Sequence, residues 1–268
     1  MFFKRFLAYA TAFSLSVSLI GAYASYGDEM QISAVNRSDG IVSIDIIRST
    51  DKKTRISITS TDKKRTYNYP HVPGEGEIDI PLIFGNGHYE INLLRELEGY
   101  AYEIMDTHSL ILDLADYDAV YYSSSVMVPW GSSVKTVKKA DELTAGAKSN
   151  FEKFAAIYVY MTENIIYDIY KRVDIGYLSD PDVTLSDGSG ICLDLAVLFA
   201  ALVRAAGVKC RLVYGYVSDA AGLHSWNEVY LKGQWIIVDP TRDSQYFISQ
   251  IPYRYAKSPE NYESIVIF

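Results

Sequence analysis

Residues 195–206 constrain the fold most, because they are apolar almost all round and are followed by Gly207. A helix that is apolar on every face has to be buried at the centre of a domain, and a glycine after the last turn is typical of a helix C-terminus. Cys192 lies just before this run, at the predicted start of the helix. At a helix N-terminus, free backbone N–H groups and the helix dipole favour a thiolate over a thiol. A lone cysteine is more often a small buried hydrophobe, so other residues have to decide its role.

The second cysteine, Cys210, is not expected to form a disulfide with Cys192. If residues 193–206 are helical and the chain turns back as a strand from Val208, the cysteines lie at opposite ends of a helix that rises about 1.5 Å per residue. That separation is well beyond the roughly 7 Å Cα limit for a bridge. We therefore expect Cys210 to be a buried, inert thiol, although paired cysteines are usual in exported proteins.

Downstream, residues 223–231 and 234–239 flank a Lys-Gly pair that is typical of a β-hairpin turn. If the residues on either side of the turn pair with each other, Trp226 faces Asp239 and His224 is its diagonal neighbour on the same face. Diagonal Cβ atoms lie roughly 7 Å apart or less. This register predicts that Asp239 orients His224, which then acts as general base for the cysteine nucleophile.

Four motifs follow one another in the second half of the chain. They are Gly190-x-Cys192, Leu202-Val203-Arg204-Ala205-Ala206-Gly207-Val208, His224-Ser225-Trp226-Asn227-Glu228-Val229 and Trp235-x-x-Val238-Asp239-Pro240-Thr241. Together they resemble the transglutaminase-like superfamily domain, which is related to the papain-type cysteine proteases, in its bacterial secreted type. The resemblance covers roughly residues 149–244 and implies an α+β core with Cys192 as nucleophile, His224 as general base and Asp239 as orienting carboxylate. Ser225 stands where the family usually has Ala, which leaves the three catalytic positions intact.

Acyl transfer would also need at least two hydrogen-bond donors for the oxyanion. The backbone N–H of Cys192 is the natural first donor, and Tyr167, Tyr177 or the indole of Trp226 could supply the second. Tyr167 belongs to a segment that resembles the one preceding the nucleophile in bacterial members of the family. Packing beside His224 accounts for Trp226 equally well.

The remaining titratable residues are expected to have structural roles. Asp194 and Glu228 are expected to fix a helix start or to form ion pairs. His71, His88 and His108 are scattered without metal-ligand spacing, so no metal is predicted. No acidic loop with calcium spacing occurs in the sequence either.

The N-terminal part of the chain shows short period-two runs separated by turn residues, which is typical of antiparallel strands. These runs are residues 41–46, 54–59, 77–82, 88–93 and 101–104. We predict a small β-sandwich domain at 25–116, a linker with a short helix at 117–148 and the transglutaminase-like domain at 149–268. Residues 166–190 are predicted to form a long surface loop. Because the sandwich carries no catalytic constellation, we expect it to position or attach the protein, and a chain beginning near Tyr117 to keep its reactive thiol.

Residues 1–24 are predicted to be a secretory signal peptide. A basic start at Lys4 and Arg5 precedes a mainly apolar run to Ile20, and Ala22-Tyr23-Ala24 is a small-x-small cleavage site. The run is shorter than the roughly 20 apolar residues that cross a bilayer. The sequence therefore predicts a secreted or extracytoplasmic protein with no membrane span in the mature chain.

Charge and motifs narrow the function classes. A net charge of -8 gives no basic footprint for phosphate backbones, so nucleic acid is excluded as a partner. The leading hypothesis is a cysteine-dependent acyl-transfer enzyme that acts on a protein or peptide, possible outcomes being amide cross-linking, deamidation or peptide hydrolysis. The alternative is a non-catalytic cell-surface or matrix-binding protein with the same fold. An arylamine N-acetyltransferase-like enzyme would need coenzyme A, which an extracellular address disfavours, and no cofactor is predicted.

Overall fold

The structure, a computed structural model, describes residues 31–36, 39–45, 54–71, 77–97, 101–174 and 176–268. The predicted signal peptide lies outside the described residues. The strands are β1 (Gln31–Asn36), β2 (Ile41–Asp45), β3 (Thr54–Ser60), β4 (Arg65–His71), β5 (Ile78–Pro81), β6 (Gly87–Glu96), β7 (Tyr102–Leu112), β8 (Ile166–Tyr167), β9 (Ser189–Gly190), β10 (Cys210–Val217), β11 (His224–Leu231), β12 (Gln234–Val238) and β13 (Tyr262–Ile267). The α-helices are α1 (Val134–Thr144), α2 (Asn150–Asn164), α3 (Pro181–Asp187), α4 (Cys192–Ala205) and α5 (Pro240–Ile248). Short 3₁₀ helices occur at Tyr117–Tyr121 and Pro259–Asn261. The predicted mixed α+β class is confirmed.

The chain divides into two compact units that are interleaved in sequence. One contains Ile46–Gly76 and His88–Leu110, and the other contains Ile32–Asp45, Glu77–Gly87 and Ile111–Phe268. The units do not divide at the predicted boundary of residue 116. A single sandwich domain over 25–116 therefore stays a prediction.

The first unit is built on a four-stranded sheet in the order β4-β3-β6-β7. β3 pairs antiparallel with both β4 and β6, so that Ile58 faces Tyr67 on one side and Ile91 on the other. Ile56, Ile58 and Ile91 are fully buried, as the alternating pattern of these strands predicts. The strands predicted from period-two runs are confirmed, whereas β1 and β4 were not predicted.

In the second unit, β1, β2 and β5 form a small sheet that is fixed to residues of the C-terminal half. Ile41 of β2 packs in one apolar cluster with Val120 and Tyr121. The Tyr117 hydroxyl donates to the Leu82 carbonyl over 2.8 Å, just beyond β5. These contacts join the small sheet to the 3₁₀ segment Tyr117–Tyr121.

Helix α4 lies at the centre of the second unit, as predicted. Its residues from Asp194 to Arg204 are all buried, and it packs against the sheet of order β12-β11-β10-β13 and against the other helices of this unit. Near its C-terminus, the buried guanidinium of Arg204 donates to the carbonyls of Ser123, Cys210 and Phe268. The three carbonyls satisfy a cation that would otherwise be costly to bury.

The segment 166–190 is more regular than the predicted surface loop. Ile166 and Tyr167 pair in parallel with Ser189 and Gly190. In the sequence, helix α3 lies between these two short strands. Asp180 caps α3 by accepting from the backbone of Asp182, and a proline follows at the first helical position. An Asp-Pro start of this kind is a helix signal that the loop interpretation overlooked.

Candidate active site

Cys192 is the first residue of α4 and is partly exposed, whereas Cys210 is buried. Both cysteines are free, so the prediction that they do not bridge is confirmed. Burial raises the pKa of the Cys210 thiol to about 12, which keeps it protonated at neutral pH. The position of Cys192 at a helix N-terminus gives its sulfur the favourable end of the helix dipole.

The turn into α4 depends on Gly190 and Asp194. The Asp194 carboxylate folds back and accepts from the backbone N–H of Ile191 over 2.9 Å, which satisfies one of the free donors of the helix start. A Cβ on Gly190 would lie 2.5 Å from the Asp194 Cβ. Only glycine therefore fits at position 190, at the end of β9 and beside the Asp194 side chain.

The hairpin register is as predicted. Leu231 pairs with Gln234 and Asn227 with Val238, which places Asp239 one step beyond the last strand pair. His224 Nε2 lies 2.8 Å from Asp239 Oδ2. The imidazole and the carboxylate therefore meet as the alternation of the two strands indicated.

Asp239 has two further donors besides His224, although it is fully buried. As the N-cap of α5, it accepts from the backbone N–H of Arg242 over 3.1 Å. The Tyr262 hydroxyl donates to Oδ2 over 3.0 Å, the same oxygen that His224 contacts. Hydrogen bonds from neutral donors and a helix N-terminus both stabilise a buried carboxylate. Tyr262 lies on β13 and was not singled out from the sequence.

His224 and Cys192 line the same cleft. Because Nε2 is directed at Asp239, Nδ1 is the ring nitrogen available to the sulfur. Burial lowers the pKa of His224, but the interactions with Asp239 and Cys192 outweigh it and raise the pKa from 6.5 to about 9. An imidazolium is thus maintained beside Cys192 at neutral pH.

Trp226 forms the wall behind this imidazole. It is fully buried and stacks on His224 with ring centroids 6.3 Å apart. On its other side it meets Tyr262 edge-on at 5.1 Å. A Cβ on Gly215 would lie 2.5 Å from the indole, so glycine is needed on β10 for Trp226 to fit. Within the described part of the chain, the buried indole N–H has no hydrogen-bond partner.

The other two candidate residues, Tyr167 and Tyr177, have different surroundings. Tyr167 lines a cleft of about 330 Å³ together with Cys192 and His224. Tyr177 instead donates to Asp194 over 2.8 Å and supports the start of α4. Of the three candidate oxyanion donors, only Tyr167 lines the cleft beside Cys192. Trp226 and Tyr177 do not line it.

The opposite wall of the cleft is formed by the loop between β10 and β11 and by α5. The loop contributes small residues, Ala220, Ala221 and Gly222. Arg242 of α5 also lines the cleft, and both its terminal nitrogens donate to the carboxylate of Asp219 in the loop. This ion pair fixes the loop that leads directly into His224.

Asp243, four residues beyond Asp239, belongs to the buried hydrogen-bonded structure around the site. It is fully buried, pairs with the ammonium of Lys257 and accepts from the Tyr158 hydroxyl over 2.8 Å. Removing a partner from a buried ion pair leaves an uncompensated charge. Asp243 is therefore unsuitable as a neutral control for Asp239.

The other predicted structural residues are accounted for by local partners. His88 contacts Asp62 and His108 contacts Asp106, while the His71 side chain lies outside the described residues. Glu228 pairs with Arg211 over 3.0 Å. In the described residues, no group of three His, Cys, Asp or Glu side chains is placed to hold a metal ion. None of the helices described is long and apolar enough to span a membrane.

Residues 137–240 match the Transglutaminase-like superfamily. This segment is a transglutaminase-like domain. Cys192, His224 and Asp239 all lie within it. Strand β13 with Tyr262 and most of α5 follow the matched segment, which is where the sequence motifs also stop.

The comparison with curated proteins finds Kyphoscoliosis peptidase from human and mouse. The two are 28% and 29% identical over 161 residues, which covers 55% of this chain and 23% of each relative. The chain thus spans less than a quarter of the length of these relatives.

Several solved structures are also similar. A candidate cysteine protease from Cytophaga hutchinsonii is 17% identical with a TM-score of 0.47, covering 85% of this chain and 76% of that chain. The periplasmic domain of TgpA from Pseudomonas aeruginosa is 19% identical with a TM-score of 0.40, covering 76% and 73%. Red sea bream transglutaminase is 11% identical with a TM-score of 0.30, covering 76% and 48%.

Proposed function

We propose that the transglutaminase-like domain is a cysteine-dependent acyl-transfer enzyme that acts on a protein or peptide amide. The observation that carries the proposal is that His224 contacts Asp239 through Nε2 over 2.8 Å and lines the same cleft as Cys192. A nucleophile, a base and an orienting carboxylate in this order are what covalent amide chemistry requires.

In the first step, the Cys192 thiolate attacks the amide carbonyl carbon and forms a tetrahedral intermediate. The C–N bond then breaks as the His224 imidazolium donates its proton to the departing nitrogen, which leaves as ammonia or an amine. The acyl group remains on sulfur as a thioester. The buried Asp239 holds the ring throughout and stabilises its charged form.

In the second step, an amine or water attacks the thioester. Neutral His224 takes the proton of the incoming group, the C–S bond breaks, and the thiolate and imidazolium pair is restored. An amine acceptor gives cross-linking, whereas water gives deamidation of a side-chain amide or hydrolysis of a peptide bond. The name of the human and mouse relatives, Kyphoscoliosis peptidase, agrees with the hydrolytic outcome.

During these steps the oxyanion is stabilised by the backbone N–H of Cys192 at the start of α4. Tyr167 is the second donor that we favour, because it lines the cleft beside the sulfur. Tyr167 pairs with Gly190, which lies two residues before Cys192, and this pairing keeps Tyr167 near the nucleophile.

We further propose that the protein works outside the cytoplasm. The support is the signal-peptide pattern of residues 1–24. Its substrate would then be a protein or peptide of the cell surface or cell wall, and no cofactor is needed for the chemistry described.

The proposal is tested first by labelling the folded protein with iodoacetamide at neutral pH. Cys192 is expected to react quickly and Cys210 to remain unlabelled. Ammonia release from a glutamine peptide, with and without a primary amine, and cleavage of a peptide library then separate the three outcomes. Equal labelling of both cysteines in the folded protein would contradict the proposal.

Substitutions test the roles within the site. Cys192→Ala should abolish turnover. Asp239→Asn keeps an N-cap for α5 but presents an amide to His224, so kcat should fall by roughly 10³- to 10⁴-fold with the fold intact. Glu263→Gln, an exposed carboxylate beside Tyr262, is the matched control and should retain activity. An Asp239→Asn variant that stays as active as this control would remove Asp239 from the mechanism.

A further inference from the structure

A second buried carboxylate, Asp194, lies in the first turn of α4, two residues after Cys192. Its side chain is fully buried. It accepts from the Ile191 N–H over 2.9 Å, the Ser179 hydroxyl over 2.7 Å, the Tyr177 hydroxyl over 2.8 Å and the Lys171 ammonium over 2.7 Å. Four donors, one of them an ammonium group, hold the Asp194 carboxylate in a fixed position.

This carboxylate and Cys192 belong to the same turn of α4. A negative charge within about one helical turn disfavours a neighbouring anion, and the effect is larger in a buried site than in water. A thiolate on Cys192 would therefore be opposed by Asp194 if the carboxylate had no counter-charge. The three neutral donors spread the charge of Asp194 but do not cancel it.

Lys171 supplies the counter-charge. Its side chain is about one-quarter exposed, and its ammonium also contacts the Tyr177 hydroxyl over 2.9 Å and lies 5.0 Å from the ring centroid of Tyr177. Burial lowers the pKa of Lys171, but the bonds to Asp194 and Tyr177 outweigh it and raise the pKa above its ordinary value. Lys171 is thus a permanent cation at neutral pH.

We propose that Lys171 is a positioning residue that neutralises Asp194, so that the first turn of α4 can anchor on a buried carboxylate without opposing the Cys192 thiolate. The inference rests on the proposed function, because it assigns to Lys171 and Asp194 the electrostatic balance of the same nucleophile.

The charges on the surrounding elements do not provide this balance. The imidazole of His224 on β11 and the hydroxyl of Tyr167 on β8 face Cys192 itself. Arg242 on α5 is paired with Asp219.

Two carboxylates at the start of α3 are engaged elsewhere. Asp180 caps its own helix, and Asp182 binds the backbone of Lys135 and Thr136 at the start of α1. From α2, Lys153 reaches the Ala206 carbonyl at the far end of α4. Among the described residues, Lys171 is the cation that pairs with Asp194.

The test measures the rate of Cys192 alkylation by iodoacetamide between pH 4 and pH 9. Lys171→Met removes the cation and keeps the length of the side chain. We expect it to move the midpoint of the rate profile up by about one pH unit, which lowers the rate near the wild-type midpoint by up to about tenfold. Lys171→Arg keeps the charge and should stay within about threefold of wild type.

The double variant Lys171→Met/Asp194→Asn identifies the cause. It removes both charges and leaves an amide oxygen to accept from Ile191, so we expect its profile to return to within about threefold of wild type. The matched control is Lys209→Met, which breaks the ion pair with Asp118 near the other end of α4. This control should leave the profile unchanged.

The outcomes separate the inference from the proposed function. An unreactive Cys192 in the wild-type protein contradicts the proposed function itself. If the wild type is reactive but the rate profile of Lys171→Met is not shifted, only the role of Lys171 is overturned. The same holds if Cys192 in the double variant is alkylated as slowly as in Lys171→Met. Labelling of Cys210 reports unfolding in every sample. If Lys171→Met unfolds, the double variant decides, since a wild-type profile supports the inference and a slow one overturns it.

Discussion

His224 sets the pH range in which the proposed chemistry can operate. Its folded-state pKa is raised from 6.5 to about 9, because interactions with Asp239 and Cys192 outweigh the effect of burial. The departing nitrogen needs the proton of this imidazolium. We therefore expect kcat to remain high through neutral pH and to fall with an apparent midpoint near pH 9, which belongs to the coupled Cys–His pair rather than to one residue.

The same shift has a consequence for stability. Because the folded-state pKa lies above the unfolded value, protonated His224 stabilises the folded protein fully below pH 6.5, and this contribution is lost as the pH rises to about 9. Urea unfolding of the wild type and of His224→Gln between pH 6 and pH 10 measures it. The difference in free energy of unfolding should shrink across this range, and a constant difference would contradict the assigned shift.

Helix α5 and strand β13 complete the site from outside the sequence motifs. Asp239 ends the hairpin and caps α5, while Tyr262 of β13 donates to the carboxylate oxygen that His224 contacts. β13 reaches this place because it pairs with β10, where Val217 faces Tyr262. The orientation of the Asp239 carboxylate thus depends on three elements rather than on the hairpin alone.

Tyr262→Phe tests this dependence. Removing the hydroxyl leaves Oδ2 with one donor fewer, so the carboxylate becomes more basic and holds the proton of His224 more tightly. We expect the alkaline midpoint of kcat to move upward, with a loss of about 1–2 kcal/mol in unfolding free energy from the missing hydrogen bond. A purely structural role would lower stability without moving the midpoint.

The control for this variant is Tyr216→Phe. Tyr216 lies on β10 next to the residue that pairs with Tyr262, and its side chain is exposed. Neither the pH profile nor the unfolding free energy should change measurably. A shift in both variants would point to a general effect of the sheet rather than to the bond with Asp239.

The sequence predicts the contact between His224 and Asp239 better than the residues that surround it, and the reason is physical. The hairpin register follows from strand alternation and a two-residue turn, so the approach of His224 to Asp239 can be derived from local spacing. Tyr262 is 23 residues beyond Asp239, and nothing in its neighbourhood shows that β13 returns to the sheet. The buried pair of Asp243 and Lys257 was overlooked in the same way, because charged residues are expected at the surface.

Pairing between strands that are far apart in the sequence also explains why the division of the N-terminal half into two units was not predicted. The period-two runs identify strands but not their partners, and β2 pairs with β5 across the intervening strands β3 and β4. As a result, strands that follow one another in the sequence, such as β2 and β3, belong to different compact units. In the segment 166–190, by contrast, helix α3 could have been predicted from the sequence. Its start signal, Asp180 followed by Pro181, is local.

Across the whole molecule, the interleaving of the two units has a direct consequence for truncation. The sequence alone led us to expect that a chain beginning near Tyr117 keeps its reactive thiol. In the structure, β2 and β5 belong to the unit that contains α4. Ile41 packs with Val120 and Tyr121, and the backbone N–H of Val126 donates to the Asp79 carbonyl over 2.7 Å. A chain that begins at Tyr117 lacks Ile41 and Asp79 and therefore loses both of these contacts.

We therefore predict that the truncated chain is markedly less stable than the full chain, and that Cys210 becomes accessible to iodoacetamide in it. The matched single change is Ile41→Ala in the full chain, which removes one buried side chain of the same cluster and should cost about 2–5 kcal/mol of unfolding free energy. Urea unfolding and Cys210 labelling are measured for the truncated chain and for Ile41→Ala. If the truncated chain unfolds at the same urea concentration as the full chain and keeps Cys210 protected, the small sheet of β1, β2 and β5 is dispensable, and the division at residue 116 is the better description of the molecule.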